Sequence, residues 1–225
     1  NKIDKAFELF KKNQDIELPF PELIKSEKYK EIYDFILKCF SENIQIDKYI
    51  SKEDLFEIFL NTKRINNSSE VSEILEKLNS AYKIYFLENL IKLNKIDKAF
   101  ELFKKNQDIE LPFPELIKSE KYKEIYDFIL KCFSENIQID KYISKEDLFE
   151  IFLNTKRINN SSEVSEILEK LNSAYKIYFL ENLIKLNKKD IALKILANKH
   201  IKYILEEIKT LEGHTGSVYS VSFSP

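Results

Sequence analysis

Apolar residues recur at helical spacing through most of this chain, and short polar connectors separate the apolar stretches. The first stretch predicts an amphipathic helix over residues 3–12 that ends near Asn13. Its apolar positions are Ile3, Ala6, Phe7, Leu9 and Phe10. A connector at residues 15–20 follows, in which Pro19 and the next proline, Pro21, prevent a continuous helix. Pro21 suits the first turn of the following helix.

Two further helices are predicted before residue 61. An apolar stripe over residues 23–40 predicts the first of them, with a pause at Ser26. Ser51 followed by Asp54 resembles a capping box, in which the serine oxygen accepts a hydrogen bond from a free backbone N–H. This pair therefore marks the start of a helix that carries Leu55, Phe56, Phe59 and Leu60.

The last pattern of this stretch predicts one long helix from about Ser69 to Leu93. It follows a polar loop at residues 66–68 and ends at Asn94. Asparagine tolerates the left-handed conformation that commonly follows a helix, so Asn94 is suited to that position.

The whole pattern then repeats. Residues 94–186 are identical to residues 1–93, and we call each of these stretches a block. A third start from Asn187 is degraded but keeps the polar and small positions of a block's first helix. We expect four segments: two identical repeat units at 1–93 and 94–186, a partial third unit with terminal helices at 187–210, and a different tail at 211–225.

The junction between the blocks is typical of a helical hairpin. A helix ends at Asn94, and a second helix follows that carries Ala99 and Phe103 on its apolar side. A small residue is needed where two helices approach closely, and Ala192 repeats it in the third start. The segment resembles one hairpin of the tetratricopeptide and pentatricopeptide repeats. Those families repeat at about 34 to 35 residues, so further irregular hairpins must fill each longer block.

The tail resembles the opening of a WD-repeat β-propeller blade. The matching positions are Leu211, Gly213, His214, Val218, Val221, Phe223, Ser224 and Pro225. The resemblance implies that a strand enters through the turn at Gly213 and that His214 has a structural, blade-bracing role. A single blade strand cannot bury both of its faces, so we expect it to be frayed or edge-paired in this chain.

Composition favours a helical, well-packed protein. Glycine occurs only twice, both times after position 212, and hydrophobic residues make up 44% of the 225 residues. We therefore predict an all-α fold, an α-solenoid of stacked helical hairpins with a short β-strand-like C-terminal tail. The chain begins without an initiator methionine or a signal peptide, which favours an origin inside a larger protein.

The net charge indicates which classes of partner to expect, and the cysteines indicate the cellular location. Thirty-six basic and 38 acidic side chains leave a net charge of −2, which gives no global field toward nucleic acid or an anionic membrane. Apolar runs are far shorter than a membrane-spanning helix requires. Cys39 and Cys132 are predicted to be free, buried thiols in a reducing compartment, so a cytoplasmic location is expected.

No catalytic or cofactor-binding constellation is found in the sequence. Both histidines lie outside the blocks, and no glycine-rich phosphate loop is present. Residues 43–54 have the rhythm of a calcium-binding EF-hand loop, but Lys48 occupies the position of its glycine. The alternative interpretation, a loop followed by a helix cap, is favoured. We expect no enzyme activity, no cofactor and no metal in this chain.

Three functions remain open. The first is a non-catalytic scaffold that binds protein segments of a partner still to be identified, within a larger WD-repeat protein. The second is a spacer or self-assembly module. The third is single-stranded RNA binding by a pentatricopeptide-like array, which is disfavoured because no series of base-reading positions occurs at the short repeat spacing.

Overall fold

Helices dominate the computed structural model of the chain, which describes residues 2–13 and 20–197. The part of the chain that it describes contains thirteen α-helices and no β-strand, so the predicted all-α fold class is confirmed. The helices are α1 (Lys2–Lys12), α2 (Phe20–Lys25), α3 (Tyr29–Ser41), α4 (Lys52–Asn61), α5 (Ser68–Glu76), α6 (Ser80–Lys92), α7 (Ile96–Lys105), α8 (Phe113–Lys118), α9 (Tyr122–Ser134), α10 (Lys145–Asn154), α11 (Ser161–Glu169), α12 (Ser173–Lys185) and α13 (Lys189–Leu196). Four short 3₁₀ turns connect some of them: Ile46–Lys48, Arg64–Asn66, Ile139–Lys141 and Arg157–Asn159.

The helices group into two compact units that do not coincide with the sequence blocks. The first unit ends at Leu116 and the second begins at Ile117. The first unit thus contains the first block together with α7, the helix that opens the second block. The end of a block in the sequence is therefore not the end of a packed body.

In the first unit, helices pack mainly on near neighbours in sequence. Helix α3 packs on α1, α2 and α4, and α4 also packs on α6. Phe86 of α6 lies at the centre of this core, with its ring centroid 5.0 Å from Phe56 and 5.5 Å from Phe59. Both contacts are edge-to-face, the arrangement that aromatic rings favour. Helix α7 then packs on α5 and α6.

The second unit repeats this packing from the identical residues. Helix α10 packs on α9 and α12, and α13 packs on α11 and α12. Phe179 lies 5.0 Å from Phe149 and 5.5 Å from Phe152, the same centroid distances as in the first unit. The internal packing of a block is therefore set by its own sequence.

The prediction of one long helix from Ser69 to Leu93 is wrong. The structure has two helices there, α5 and α6, separated at residues 77–79. Asn79 starts the second one, since its side-chain oxygen accepts a hydrogen bond from the backbone N–H of Ala81 at 3.0 Å. An asparagine cap competes with helix continuation, and its identical partner Asn172 does the same at 3.0 Å.

The other local helix signals are confirmed, but the stripe over residues 23–40, predicted as one helix with a pause, forms two helices. Ser51 accepts a hydrogen bond from the backbone N–H of Asp54 at 3.0 Å, as the capping box predicted. The pause at Ser26 is a full break between α2 and α3, where Glu27 adopts a φ of 57°. Pro21 lies in the first turn of α2.

In the described part of the chain, left-handed backbone positions are occupied by residues other than glycine. The residues with positive φ form four pairs that are 93 positions apart: Glu27 and Glu120, Asn43 and Asn136, Lys63 and Lys156, and Asn94 and Asn187. A side chain with a Cβ in this conformation costs roughly 1 to 2 kcal/mol. Lysine and glutamate lack the local hydrogen bonding by which asparagine offsets part of that cost.

Replacing Lys63 by glycine is expected to raise the free energy of unfolding by about 1 kcal/mol. The gain comes from removing the Cβ at a φ of 60°. Chemical denaturation of both variants measures it, with Lys63→Ala as the control because alanine keeps the Cβ and gives no gain. A Lys63→Gly variant no more stable than Lys63→Ala would contradict the backbone-strain explanation.

Some predicted features fall outside the described residues. The propeller-like motif with Gly213 and His214 lies in the tail, of which the structure describes nothing. The solenoid arrangement of the whole chain also stays a prediction, because the two compact units are described separately.

Candidate interaction surfaces

Three of the predicted hairpin residues, Asn94, Ala99 and Phe103, lie in the first compact unit, and the fourth, Ala192, lies in the second. Helix α6 ends at Lys92, Leu93 is its C-cap, and Asn94 adopts a φ of 54°. Its backbone N–H donates to the carbonyl of Ile91 at 2.8 Å, and that of Lys95 donates to the carbonyl of Leu90 at 2.8 Å. This is the Schellman pattern, which satisfies two free carbonyls at the helix end and turns the chain into α7.

Helix α7 is held closely against the helices before it. Ala99, Leu102 and Phe103 are buried, and α7 packs on α5 and α6. The Lys98 ammonium donates a hydrogen bond to the side-chain oxygen of Asn66. Burial lowers the pKa of Lys98, and the charge of Lys95 lowers it further. The first helix of the second block therefore completes the packing of the first block.

Helix α13 makes the corresponding contact in the second unit. Ala192 and Ile195 are buried, and α13 packs on α11 and α12. Lys188 donates to the side-chain oxygen of Asn159, the repeat of Asn66, at 2.9 Å. The degraded third start thus keeps the small and apolar positions that this packing requires.

Helix α1 has the same sequence as α7 but a different environment. Leu9 is 64% exposed, whereas its repeat Leu102 is 2% exposed and the equivalent Ile195 is fully buried. Ala6 is likewise exposed, although its repeat Ala99 is buried. We call the side of α1 with Ala6 and Leu9 the junction face. On its other side, α1 packs on α3 through Phe7 and Phe10, whose ring centroids lie 5.8 and 5.7 Å from Phe35.

A second surface lies along α4. Tyr29 of α3 donates a hydrogen bond to Glu57 at 2.7 Å, and both side chains are at least partly exposed. On the other side of α4, the ammonium of Lys52 lies 5.3 Å from the ring centroid of Tyr85, a cation–π contact. Leu60 is exposed on the same helix. We call these five residues, Tyr29, Lys52, Glu57, Leu60 and Tyr85, the α4 strip.

The second unit carries the same strip along α10. Tyr122 donates to Glu150 at 2.8 Å, and Lys145 lies 5.3 Å from the ring centroid of Tyr178. Leu153 is exposed to almost the same extent as Leu60, at 37% against 38%. These residues form the α10 strip. In the sequence, these tyrosines belong to the apolar stripes of their helices. Neither the stripes nor the repeat indicates that the side chains are partly exposed.

A hydrogen-bonded cluster around the buried Tyr33 lies at the start of α5. The Tyr33 hydroxyl donates to Glu70, and the Arg64 guanidinium lies 5.2 Å from the Tyr33 ring centroid. Asn67 caps α5 by accepting from the Glu70 backbone N–H at 3.4 Å and also donates to the Glu70 carboxylate at 3.1 Å. Burial is the main cause that raises the pKa of Tyr33, and the hydrogen bond to Glu70 adds to it. The cluster recurs around Tyr126 in the second unit.

The stability of the protein is expected to fall as the pH rises above about 10, the usual pKa of tyrosine. The folded-state pKa values of Tyr33 and Tyr126 are raised, so unfolding releases their protons above that pH. Each tyrosine contributes a slope of up to about 1.4 kcal/mol per pH unit. Urea unfolding of Tyr33→Phe/Tyr126→Phe should give a shallower decline. An equally steep decline in the double variant would contradict this assignment.

The EF-hand-like loop has a structural role in the first unit. It forms the 3₁₀ turn Ile46–Lys48, and Ile46 and Ile50 are buried. Tyr82 donates to the carbonyl of Ile50, and Asn79 donates to the Asp47 carboxylate at 3.1 Å. Asp47 therefore anchors the start of α6. Within residues 2–13 and 20–197, no three histidine, cysteine, aspartate or glutamate side chains are grouped to hold a metal ion.

The two cysteines are free and buried, as predicted. Burial raises the pKa of both the Cys39 and Cys132 thiols to about 12. A thiol is nucleophilic only as the thiolate, so both side chains are chemically inert near neutral pH. Cys39 lies on the buried side of α3, and Cys132 lies on the buried side of α9.

Comparison with protein-family models, with curated proteins and with solved structures finds no match for this chain. In the described part of the chain, no helix has the length and apolar character needed to cross a bilayer.

Proposed function

We propose that this chain is a non-catalytic helical-repeat scaffold that binds protein segments along the α4 and α10 strips. The observation that carries the proposal is that each block presents the same partly exposed tyrosine pair, together with one exposed leucine of the helix that both tyrosines contact. A repeated surface of this kind suits a binding module built from stacked helices. We further propose that the chain belongs to a larger WD-repeat protein, on the resemblance of its tail.

The chemistry of the strip suits a protein partner. Tyrosine is enriched at protein interfaces because it combines a large apolar ring with a hydroxyl group. Tyr29 and Tyr85 are already oriented by Glu57 and Lys52, so their rotamers cost little further entropy when a partner binds. Leu60, exposed on the same helix, provides an apolar contact.

Exposed acidic side chains on α4 favour partner segments that carry basic residues. Glu53 and Glu57 are exposed on α4, next to Leu60. A partner segment with an apolar side chain flanked by lysine or arginine would contact Leu60 and neutralise these carboxylates. Complementary charge mainly raises the association rate and the specificity. We therefore expect the strip to select short basic segments with one apolar anchor.

Selection from a displayed library of linear peptides on the immobilised full chain tests this proposal. Enriched peptides should bind the wild-type chain and lose at least about tenfold in affinity for Leu60→Glu/Leu153→Glu, because the apolar anchor of the peptide would then contact a carboxylate instead of a leucine side chain. The matched control is Leu93→Glu/Leu186→Glu, which adds the same charge at similarly exposed leucines outside the strips. The control should keep full binding.

Two outcomes would count against the scaffold. One is that no peptide is enriched over an empty support. The other is that both double variants lose binding equally, because the strips would then have no special role. If the strips bind as proposed, a single variant such as Leu153→Glu should retain part of the affinity, since the α4 strip remains intact.

A further inference from the structure

We propose that the junction face of α1 docks on the α11–α12 helix pair of a second copy of this chain, in place of that copy's α13. The contact would join copies head to tail. It does not depend on the α4 and α10 strips and goes beyond the scaffold role.

The first support is that one sequence occurs in two environments. Helix α7 repeats α1 residue for residue, and its Leu102 is buried where Leu9 of α1 is 64% exposed. The same side chains that α7 buries against α5 and α6 are therefore exposed on the junction face of α1.

The second support is that the matching surface is known. Helix α7 packs on α5 and α6, and the residues of α5 and α6 are identical to those of α11 and α12. Placing α1 on α11 and α12 would bring the same side chains together as placing α7 on α5 and α6. The complementarity of the two surfaces is thus displayed within the first compact unit.

Helix α13 occupies this surface in the chain itself, but its sequence differs from the repeated one. Leu193 and Leu196 replace the phenylalanines found at positions 100 and 103, and α13 has 8 residues where α7 has 10. Leu193 is 63% exposed. A helix that is tethered to its site nevertheless has a high effective concentration there. The docking of α1 from another copy should therefore be weak as long as α13 occupies the α11–α12 surface.

Charges of both signs lie at the two surfaces. A shallow groove beside the junction face of α1 is lined by Leu9, by Lys5 and Lys12, and by two acidic residues, Asp4 and Glu8. The groove between α11 and α13 is lined by Glu166 and Glu169 together with Lys194 of α13. The contact is therefore carried by its apolar positions rather than by net charge.

The geometry of such a contact is heterologous, because it joins two different surfaces. Each chain has one junction face on α1 and one α11–α12 surface, so association can continue from copy to copy. Open chains of increasing length are expected rather than a closed two-fold dimer.

Sedimentation velocity of the full chain over a concentration series tests the proposal. Ile195→Asp places a charge at a fully buried position of α13 and should release that helix. This variant should associate at least about tenfold more strongly than the wild type. Adding Leu9→Glu to it should return the chain to a monomer, whereas adding Leu60→Glu should leave the association unchanged.

A synthetic peptide of residues 1–12 gives a second readout. It should bind the Ile195→Asp chain and dissociate its assemblies, while the same peptide with Leu9→Glu should do neither. Circular dichroism checks that the variants keep their helices, and Ala192→Glu replaces Ile195→Asp if the latter unfolds the second unit. Association that persists with Leu9→Glu would overturn the proposal, as would a folded, released variant that stays monomeric and binds no peptide. The binding of selected library peptides by the Leu60→Glu/Leu153→Glu variant tests only the scaffold proposal and is independent of the head-to-tail contact.

Discussion

Replacing Leu102 by alanine is expected to lower the free energy of unfolding by about 3 kcal/mol. The same replacement at Leu9 should change it by less than about 0.5 kcal/mol. Both leucines occupy the same position of identical helices, but Leu102 is 2% exposed and Leu9 is 64% exposed. Truncation of a buried leucine loses its transfer free energy and leaves a cavity, whereas truncation of an exposed one leaves neither.

Urea denaturation followed by far-ultraviolet circular dichroism measures both variants. The pair controls for helix propensity, because the substitution and the local sequence are the same. Two compact units can give two transitions, so the loss in Leu102→Ala should appear in the transition of the unit that contains α5, α6 and α7. Equal losses at the two positions would contradict the packing of α7 on the preceding block.

Replacing Phe86 by alanine is expected to lower the free energy of unfolding by about 4 kcal/mol. The Phe86 ring is fully buried and makes edge-to-face contacts with Phe56 and Phe59. The replacement of Phe179 in the second unit should cost the same within about 0.5 kcal/mol, since its contacts have the same centroid distances.

Thermal and chemical unfolding of the two single variants and of the double variant provide the measurement. Tyr85→Ala is the control on the same helix, because Tyr85 is only partly buried and should lose less. Unequal losses for Phe86→Ala and Phe179→Ala would show that the core of a block depends on its position in the chain.

Much of the helical fold could be predicted from the sequence, because its signals are local. The caps of α4 at Ser51 and of α10 at Ser144 follow from one hydroxyl group placed before an acidic first turn. The start of α2 follows from Pro21. These signals depend only on residues within one helical turn of each other.

The break between α5 and α6 could not be predicted from periodicity. Apolar residues continue on both sides of Asn79 at spacings that one helix would also give, and no glycine or proline marks the interruption. Asn79 alone carries the signal, as a cap residue whose side chain accepts from Ala81. A cap residue inside an apolar stripe is therefore a stronger indication of where a helix begins than the stripe itself.

The candidate surfaces could be predicted only in part. The position of Ala99 at a close helix approach was expected, and this residue is buried between packed helices. The exposure of Leu9 was not, because α1 and α7 have one sequence and differ only in what packs on them. Tertiary contact, rather than local pattern, decides the role of these identical residues.

The measurement that tests the stacking of one block on the next most directly is thiol labelling of Ala6→Cys and Ala99→Cys. We expect a cysteine at position 6 to react with iodoacetamide as an exposed thiol, and one at position 99 to react at least about 100-fold more slowly. The buried Cys39 and Cys132 serve as an internal reference for protection. Equal, rapid labelling at positions 6 and 99 in the folded protein would contradict the packing of α7 on the first block.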